Sequence, residues 1–381
     1  MGSRPSRRLR LTLAALFFRL LKTHTISENP FELCGPNARI LVVRQQNQMG
    51  DMLLATPCLR ALRQSLPKSR LTLLASRENE AVVRNNPHVD EVLVYDKRAF
   101  RKSPLALIRF IRALRRRDFD ICVVLSTVSF SVTSSLLCLA SSARYRVSYS
   151  GESYGLAFVD RAFHVTVPLG DEGEHQTKLG LRLLERFGVT TADLSPIMVP
   201  TEEDEKFAVK FMLERSLRPG GRVVIVGVHP GAGKTNNRWP ASRFAGVAKA
   251  LHTDQGAQIV VIGGPSDSEL VDAMLKELEF VPAVLTGESI GRVAALIKRL
   301  SLFICNDTGV LHVAAAVGCP TLALFGPTDP LRWAPRTDRV RALTAPGSKM
   351  EELAETTVLA AAVEIMSSLG KAGAEPLARS S

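Results

Sequence analysis

Short apolar runs rich in Val, Ile and Leu recur along the chain, and a helical stretch separates each run from the next. Six runs form a first series, at residues 39–44, 71–75, 91–95, 120–125, 145–149 and 163–167. Five more form a second series, at residues 223–228, 258–262, 283–285, 302–305 and 321–325. Apolar strands that alternate with helices indicate a parallel sheet covered by helices on both faces. The sequence therefore predicts two α/β domains of similar build.

The length of the chain and the segments between the two series support a domain boundary there. A chain of 381 residues is too long for one ordinary hydrophobic core. A Pro-containing stretch, a charged helical segment near 201–216 and the sequence Pro-Gly-Gly separate the two series. We predict four parts, which are an arm and linker over 1–38, a first domain over 39–195, a second domain over 196–371 and a frayed tail over 372–381.

The N-terminal arm is basic and amphipathic. Its apolar residues fall on one helical face, and they are Leu9, Leu13, Leu16, Phe17, Leu20 and Leu21. Basic residues precede the first acidic one, Glu28, and they are Arg4, Arg7, Arg8, Arg10, Arg19 and Lys22. This pattern is typical of a helix that lies in a membrane interface, and the apolar run 11–18 is too short to span a bilayer. We expect residues 1–22 to contact a membrane surface, with a soluble helix or a signal peptide as the alternatives.

The charge balance favours anionic partners. Forty-nine Lys and Arg against 37 Asp and Glu give a net charge of +12, and residues 97–117 form a second basic block without an acidic residue. That block is either a solvated helix face or a patch for anionic lipid or a phosphorylated acceptor. No nucleic-acid-binding module is recognisable. The six scattered cysteines suggest neither a disulfide framework nor a zinc site, which favours a reducing cytoplasm.

Ligands of open α/β sheets bind beyond the carboxyl ends of the strands, and the loop after the first strand carries an acidic residue there. Gly50 permits a tight turn, and Asp51 arrives at the N-terminus of a helix. There Asp51 either caps the helix or presents a general base in a cleft. Met49 and Gly50 precede Asp51 directly and are the neighbouring candidates for ligand binding.

Two further loops belong to the second series. After residue 228, small residues let backbone amides approach a ligand, and Lys234 and Arg238 supply cations, although the spacing is not that of a P-loop. After residue 262, Asp267 or Glu269 could accept hydrogen bonds from ribose hydroxyls. A helix cap is the alternative for this acidic pair.

The segment that follows residue 305 reads Asn-Asp-Thr-Gly-Val-Leu-His. Asp307 or Thr308 is expected to cap a helix whose free backbone amides provide a diphosphate site. His312 lies one turn after Thr308, on the same face, where it either holds a phosphate or is a structural histidine.

Together these motifs resemble glycosyltransferase family 9, the lipopolysaccharide heptosyltransferases. The resemblance covers about residues 39–345 and rests on Met-Gly-Asp, His-Pro-Gly-Ala with Arg-Trp-Pro, Gly-Gly-Pro-Ser-Asp, Asn-Asp-Thr-Gly with its His, and Phe-Gly-Pro-Thr-Asp-Pro. It implies a GT-B fold of two Rossmann-like domains that face each other across a cleft, with the acceptor bound by the first and the nucleotide sugar by the second. It also implies inverting transfer of heptose from ADP-heptose to a lipopolysaccharide core, at the cytoplasmic face of the inner membrane.

The resemblance assigns roles to individual residues. Asp51 corresponds to the base, with Met49 and Gly50 beside it as candidates for acceptor binding, and Asp307, Thr308, Gly309 and His312 match the donor-binding segment. The further candidates for donor binding are Ala232, Gly233, Lys234, Arg238, Asp267 and Glu269. No cofactor is implied, and no Asp-x-Asp motif at a strand end calls for a metal. Many members carry Lys where this chain has Asn237. The cation for the diphosphate must then be Arg238 or Lys234.

Other functions remain as alternatives. The same fold could use a UDP- or GDP-hexose for polysaccharide or glycolipid assembly. A dinucleotide-dependent oxidoreductase is less favoured, because neither first strand is followed by Gly-x-Gly-x-x-Gly with an acidic residue about 20 positions on. An inactive binding protein is disfavoured by the presence of Asp51.

Overall fold

The computed structural model describes residues 7–171, 173–218 and 224–372, and it describes side chains between residues 11 and 368 of these ranges. The first residues of the predicted arm, the Pro-Gly-Gly sequence and nearly all of the predicted tail lie outside the described residues. The chain divides into two compact units, Met1–Leu194 and Ser195–Ser381. Each unit contains one six-stranded parallel sheet.

The first unit is built on β1 to β6, with the strand order β3-β2-β1-β4-β5-β6. The strands are β1 Arg39–Arg44, β2 Arg70–Ser76, β3 Glu91–Tyr95, β4 Ile121–Val124, β5 Tyr145–Tyr149 and β6 Val165–Val167. This is the Rossmann order, in which the direction of winding reverses between β1 and β4. The loop after β1, which leads to Asp51, therefore lies at the topological switch point.

Nine helices of the first unit are described. They are α1 Arg7–Arg19, α2 Pro30–Cys34, α3 Met49–Leu54, α4 Thr56–Ser65, α5 Glu80–Val83, α6 Lys97–Lys102, α7 Pro104–Arg115, α8 Val132–Ala140 and α9 Gln176–Glu185. The single helix expected after Asp51 is two helices, α3 and α4. Pro57 has no N–H for the carbonyl of Leu53, and the Thr56 hydroxyl donates to that carbonyl instead at 2.7 Å.

Helix α1 packs against the first unit through the side that carries Phe18. This side is not the apolar face that the sequence pattern identified. Phe18 is fully buried, and its ring lies 5.9 Å from that of Phe158. Arg161 donates to the carbonyl oxygen of Arg19 at 2.8 Å. The opposite side exposes large apolar side chains, which are Leu13 (56%), Leu16 (54%), Phe17 (46%) and Leu20 (82%). The helix is therefore held to the unit while an apolar stripe faces solvent.

The second unit repeats the same strand order with β7 to β12, as β12-β11-β10-β7-β8-β9. The strands are β7 Ile225–His229, β8 Gln258–Gly263, β9 Ala283–Thr286, β10 Leu302–Asn306, β11 Thr321–Phe325 and β12 Val340–Thr344. The sequence analysis missed β12, because this strand at the edge of the sheet is partly exposed and Arg341 interrupts its apolar residues. Here the winding reverses between β7 and β10.

Seven helices of the second unit are described. They are α10 Glu202–Glu214, α11 Ala241–Gln255, α12 Ser268–Lys276, α13 Ile290–Ile297, α14 Gly309–Ala316, α15 Pro330–Trp333 and α16 Glu355–Ala372. A capping box fixes the start of α10, where Thr201 and Asp204 satisfy each other's backbone N–H groups. None of the helices in the described ranges is long and apolar enough to cross a bilayer.

The packing of α1 leads to a stability prediction. Replacing Phe18 with Ala removes a fully buried aromatic ring and should lower the free energy of unfolding of the first unit by about 3–5 kcal/mol. Replacing the neighbouring, half-exposed Phe17 with Ala is the matched control and should cost much less.

Urea unfolding followed by tyrosine absorbance reports on the first unit, because all four tyrosines lie there and both tryptophans lie in the second. If the Phe18→Ala and Phe17→Ala variants lose the same amount of unfolding free energy, α1 is not packed as described.

Candidate active site

Asp51 is the third residue of α3, just beyond the carboxyl end of β1. Gln48 occupies the N-cap position, and no side chain caps this helix, so the expectation that Asp51 is a cap is wrong. The Asp51 side chain is 15% exposed. Burial raises its pKa above the ordinary value of an aspartate, and the charge of Arg44 opposes that rise. A carboxylate with a raised pKa is a better proton acceptor near neutral pH than an exposed one.

Arg44, the last residue of β1, determines where the Asp51 backbone lies. Its guanidinium is almost fully buried, and it donates to the carbonyl of Leu125 at 2.7 Å and to that of Asp51 at 3.2 Å. Its Nη2 atom lies 3.9 Å from Oδ2 of Asp51. The two carbonyls orient the arginine, and the arginine places a positive charge beside the carboxylate.

The loop between β1 and α3 is held by buried polar side chains. Asn79 donates to the carbonyl of Gln46 at 2.6 Å, and Gln45 donates to the hydroxyls of Ser131 and Ser134 at 2.8 and 3.2 Å. Gly50 has a helical backbone inside α3 and is not among the residues with positive φ. The tight turn expected at Gly50 is therefore wrong, and Met49 and Gly50 form the half-buried first turn of α3.

In the second unit, Asn306 connects three of the motifs. It is fully buried at the end of β10, and its amide donates to the carbonyls of Pro230 and Gly231 at 3.0 and 3.2 Å. Its Oδ1 accepts the backbone N–H of Trp239 at 3.0 Å. The sequence analysis did not select Asn306, although its position at a strand end next to Asp307 was a usable signal.

Asp267 supports the loop after β7 rather than lying open to solvent. Its carboxylate accepts the backbone N–H of Gly264 at 2.8 Å and lies 3.9 Å from Nε2 of His229. A Cβ atom on Gly231 would lie 2.4 Å from Cγ of Asp267, so only glycine fits at position 231. Burial lowers the pKa of His229, whose Nδ1–H donates to the carbonyl of Ile262.

The two candidates for ribose binding, Asp267 and Glu269, therefore differ in their exposure to solvent. Asp267 is buried within the loops, whereas Glu269 is exposed in the first turn of α12. Asp267 occupies the N-cap position of α12 without a side-chain capping bond.

Asp307 is bound by side chains from two other loops. The Asn237 amide donates to Oδ2 of Asp307 and to the hydroxyl of Thr328, both at 3.1 Å. Burial raises the pKa of Asp307, while the Thr328 hydroxyl and the charge of Lys234 oppose that rise. Asn237 thus orients the Asp307 carboxylate.

The two cations considered for the diphosphate differ in their surroundings. Arg238 is half-buried and donates through Nε to the carbonyl of Ala232 at 2.9 Å. Lys234 is exposed, next to the exposed Gly233, and it is near enough to influence the pKa of Asp307. Lys234 is therefore the better placed of the two to meet an incoming anion.

The N-terminus of α14 is the remaining element of this site. Thr308 occupies the N-cap position, but its side chain makes no capping bond, and Asp307 does not cap either. The amides that begin at Gly309 can therefore bind an anion. His312 is 5% exposed and lies largely within the unit. Among the described residues, no group of three or more His, Cys, Asp or Glu side chains is placed to hold a metal.

Comparison with known proteins supports the resemblance seen in the motifs. The family model described as glycosyltransferase family 9 (heptosyltransferase) matches residues 107–362. Lipopolysaccharide heptosyltransferase 3 of Escherichia coli K12 is 28% identical over 298 residues, which cover 76% of this chain and 83% of the relative.

Solved structures match over nearly the whole chain. A family 9 glycosyltransferase from Veillonella parvula has a TM-score of 0.80 and 27% identity, covering 90% of this chain and 100% of its own. The Escherichia coli ADP-heptose heptosyltransferase II has a TM-score of 0.71 and 22% identity, covering 87% and 99% of the two chains. The two Rossmann-type sheets agree with the GT-B-like fold of these proteins. The chain therefore belongs to glycosyltransferase family 9, the heptosyltransferase family, and is a glycosyltransferase.

Proposed function

We propose that this enzyme transfers heptose from ADP-heptose to the core of lipopolysaccharide, with inversion at the anomeric carbon. Family membership and the lipopolysaccharide heptosyltransferases among its relatives support this choice of substrates. The observation that carries the proposal is the partly buried Asp51 carboxylate, which lies at the switch point of the first unit beside Arg44. In this proposal the domain over 39–195 binds the acceptor and the domain over 196–371 binds the nucleotide sugar.

The reaction is a single displacement. An acceptor hydroxyl oxygen attacks C1 of the heptose, and its proton passes to Asp51. The bond between C1 and the diphosphate oxygen breaks, and ADP leaves with the electron pair. Attack from the side opposite the leaving group inverts the configuration of C1.

The leaving diphosphate is stabilised without a cofactor or metal. Negative charge grows on its bridging oxygen, and the backbone amides at the start of α14 donate to such an anion. Lys234 supplies the cation in place of the lysine absent at position 237. Asn237 keeps Asp307 oriented beside this anion site.

The exposed stripe on α1 supports a membrane location. Four large apolar side chains face solvent on one side of the helix, and basic residues flank them. Such a stripe suits insertion into the headgroup region, with the basic residues near anionic lipid. We propose that the enzyme is peripheral on the cytoplasmic face of the inner membrane, where a lipid-linked acceptor would be presented.

The role of Asp51 is tested by replacing it with Asn. The neutral amide cannot accept a proton, so kcat for heptose transfer should fall about 10²–10⁴-fold. The affinity for ADP, measured by calorimetry, should be unchanged.

Asp118→Asn is the matched control, because Asp118 is an exposed carboxylate of the same unit. The wild-type kcat should also fall on acidification at a higher pH than an ordinary aspartate would give, since burial raises the pKa of Asp51. Full activity in the Asp51→Asn variant would remove Asp51 from the mechanism.

The choice of cation is tested by replacing Lys234 and Arg238 separately with Ala. Loss of a charge-assisted contact costs about 1.5–3 kcal/mol, so Lys234→Ala should weaken ADP binding by roughly 10- to 150-fold. Lys249→Ala, at a surface lysine paired with Glu279, is the control.

Calorimetry with ADP, UDP and GDP on the wild type tests the alternative donors in the same experiment. A loss of ADP affinity in Arg238→Ala alone would assign the cation to Arg238, and a preference for UDP or GDP would favour the alternative hexose transfer.

Membrane binding is tested with a double variant, Leu16→Glu with Phe17→Glu. Two charges on the exposed stripe should abolish cosedimentation with vesicles that contain phosphatidylglycerol. The control places the same charges on exposed apolar residues of the second unit, as Leu213→Glu with Val281→Glu. Equal vesicle binding by the two double variants would refute lipid contact through α1.

A further inference from the structure

A small cavity lies directly beside Asp51 in the first unit. Its polar lining residues are Arg44, Asp51, Thr127 and Gln176, and α3, α9 and the loop after β4 provide most of the remaining surface. Its volume is about 10 Å³, which is room for roughly one water-sized group. The cavity therefore has room for a single oxygen atom.

Gln176 is the unexplained residue of this cavity. It begins α9 and is 4% exposed, yet within the described residues neither Nε2 nor Oε1 has a hydrogen-bond partner. The cap of α9 is made by His175, whose Nδ1 accepts the N–H of Thr177, so Gln176 does not serve as a cap. Burying an amide without a partner costs free energy, which indicates that a ligand satisfies it.

The position of Gln176 is fixed by its neighbour. The Thr177 hydroxyl donates to the carbonyl of Leu54 at 3.0 Å and thereby joins the start of α9 to the end of α3. Because Asp51 lies on α3, this bond holds Gln176 and Asp51 in a constant relation. The unpartnered amide is thus built into the unit that carries the carboxylate.

The polar groups around the cavity match the bonding capacity of a hydroxyl. Nε of Arg44 is also buried without a hydrogen-bond partner in the described ranges. Nε of Arg44 and Nε2 of Gln176 are therefore two donors without an acceptor. The Asp51 carboxylate can accept a hydrogen bond from a group in the cavity. A hydroxyl oxygen donates one hydrogen bond and has two lone pairs, so it can accept from one of these donors and keep the other lone pair for attack, whereas a carbonyl oxygen has no proton to give.

We propose that Gln176 binds the acceptor hydroxyl whose proton Asp51 removes, and this inference rests on the proposed function. The amide donates to the hydroxyl oxygen and leaves its proton directed at the carboxylate. Gln176 takes no proton itself. It orients the oxygen for attack, and such orientation accounts for a substantial part of the rate of a displacement.

The test compares wild type with Gln176→Leu, which keeps the approximate size of the side chain and removes both amide atoms. With saturating ADP-heptose and truncated lipopolysaccharide core oligosaccharides as acceptors, we expect kcat/KM for the acceptor to fall about 10- to 100-fold. Calorimetric binding of the same oligosaccharides should weaken, while ADP binding should be unchanged.

Ser141→Ala is the matched control, because it removes a buried hydroxyl of the same unit that already has a partner, the carbonyl of Cys138, and that does not line the cavity. It should lower the melting temperature and leave the KM for the acceptor within about twofold. If Gln176→Leu behaves in the same way, the cavity holds only a structural water and the inference is wrong.

A second variant covers the possibility that Gln176→Leu does not fold. Gln176→Glu has the same shape and places a carboxylate in the cavity, so it should raise the pKa of Asp51 and move the acidic limb of the rate profile to higher pH. An acidic limb at the wild-type pH, with wild-type kcat/KM for the acceptor, would overturn the inference.

The outcome is separable from that of the Asp51 experiment. If Asp51→Asn keeps full activity while Gln176→Leu loses oligosaccharide binding, the base assignment fails and the hydroxyl site stands. If Asp51→Asn abolishes transfer while Gln176→Leu changes neither kcat/KM for the acceptor nor oligosaccharide binding, the base assignment stands and the hydroxyl site fails. Calorimetry with the oligosaccharides needs no turnover, so it decides the inference even if ADP-heptose is not the donor.

Discussion

The buried guanidinium of Arg44 is the interaction on which the geometry of the first unit's site depends. Removing a charge from water costs several kcal/mol, so the ion must be surrounded by fixed acceptors. It finds them in the carbonyl at the end of β4, the carbonyl of Asp51 and the Asp51 carboxylate. Since β1 and β4 are the strands between which winding reverses, one desolvated charge fixes the switch point and the acidic residue beyond it.

In the second unit, a neutral side chain fixes the backbone at the switch point. Asn306 ends β10, which pairs with β7 at the second reversal of winding, and its amide binds the loop that follows β7. The difference suits the two proposed tasks. A neighbouring cation keeps a desolvated general base ionised at neutral pH, whereas a loop proposed to bind a nucleotide needs its backbone fixed without a buried charge near the phosphates.

The sequence predicted the buried strands well because both of their faces are covered, which makes them continuous apolar runs. It missed β12, where Arg341 lies in a partly exposed strand, and it missed the break before Pro57. The motifs identified Asp51 and Asp307, but not Asn306 or Gln176. Asn306 acts through partners far away in the chain, such as Gly231, 75 residues away, and Gln176 lines a cavity with residues distant in the sequence. Sequence spacing carries no such information.

Asn237 stabilises Asp307 through a neutral hydrogen bond rather than an ion pair. The Asn237 amide donates to Oδ2 of Asp307 at 3.1 Å and carries no positive charge of its own. Burial then raises the pKa of Asp307, and the exposed Lys234 is the cation that opposes this rise. If Lys234 also meets the diphosphate, as proposed, that contact lies nearer to solvent and is screened more strongly by salt than a buried pair would be.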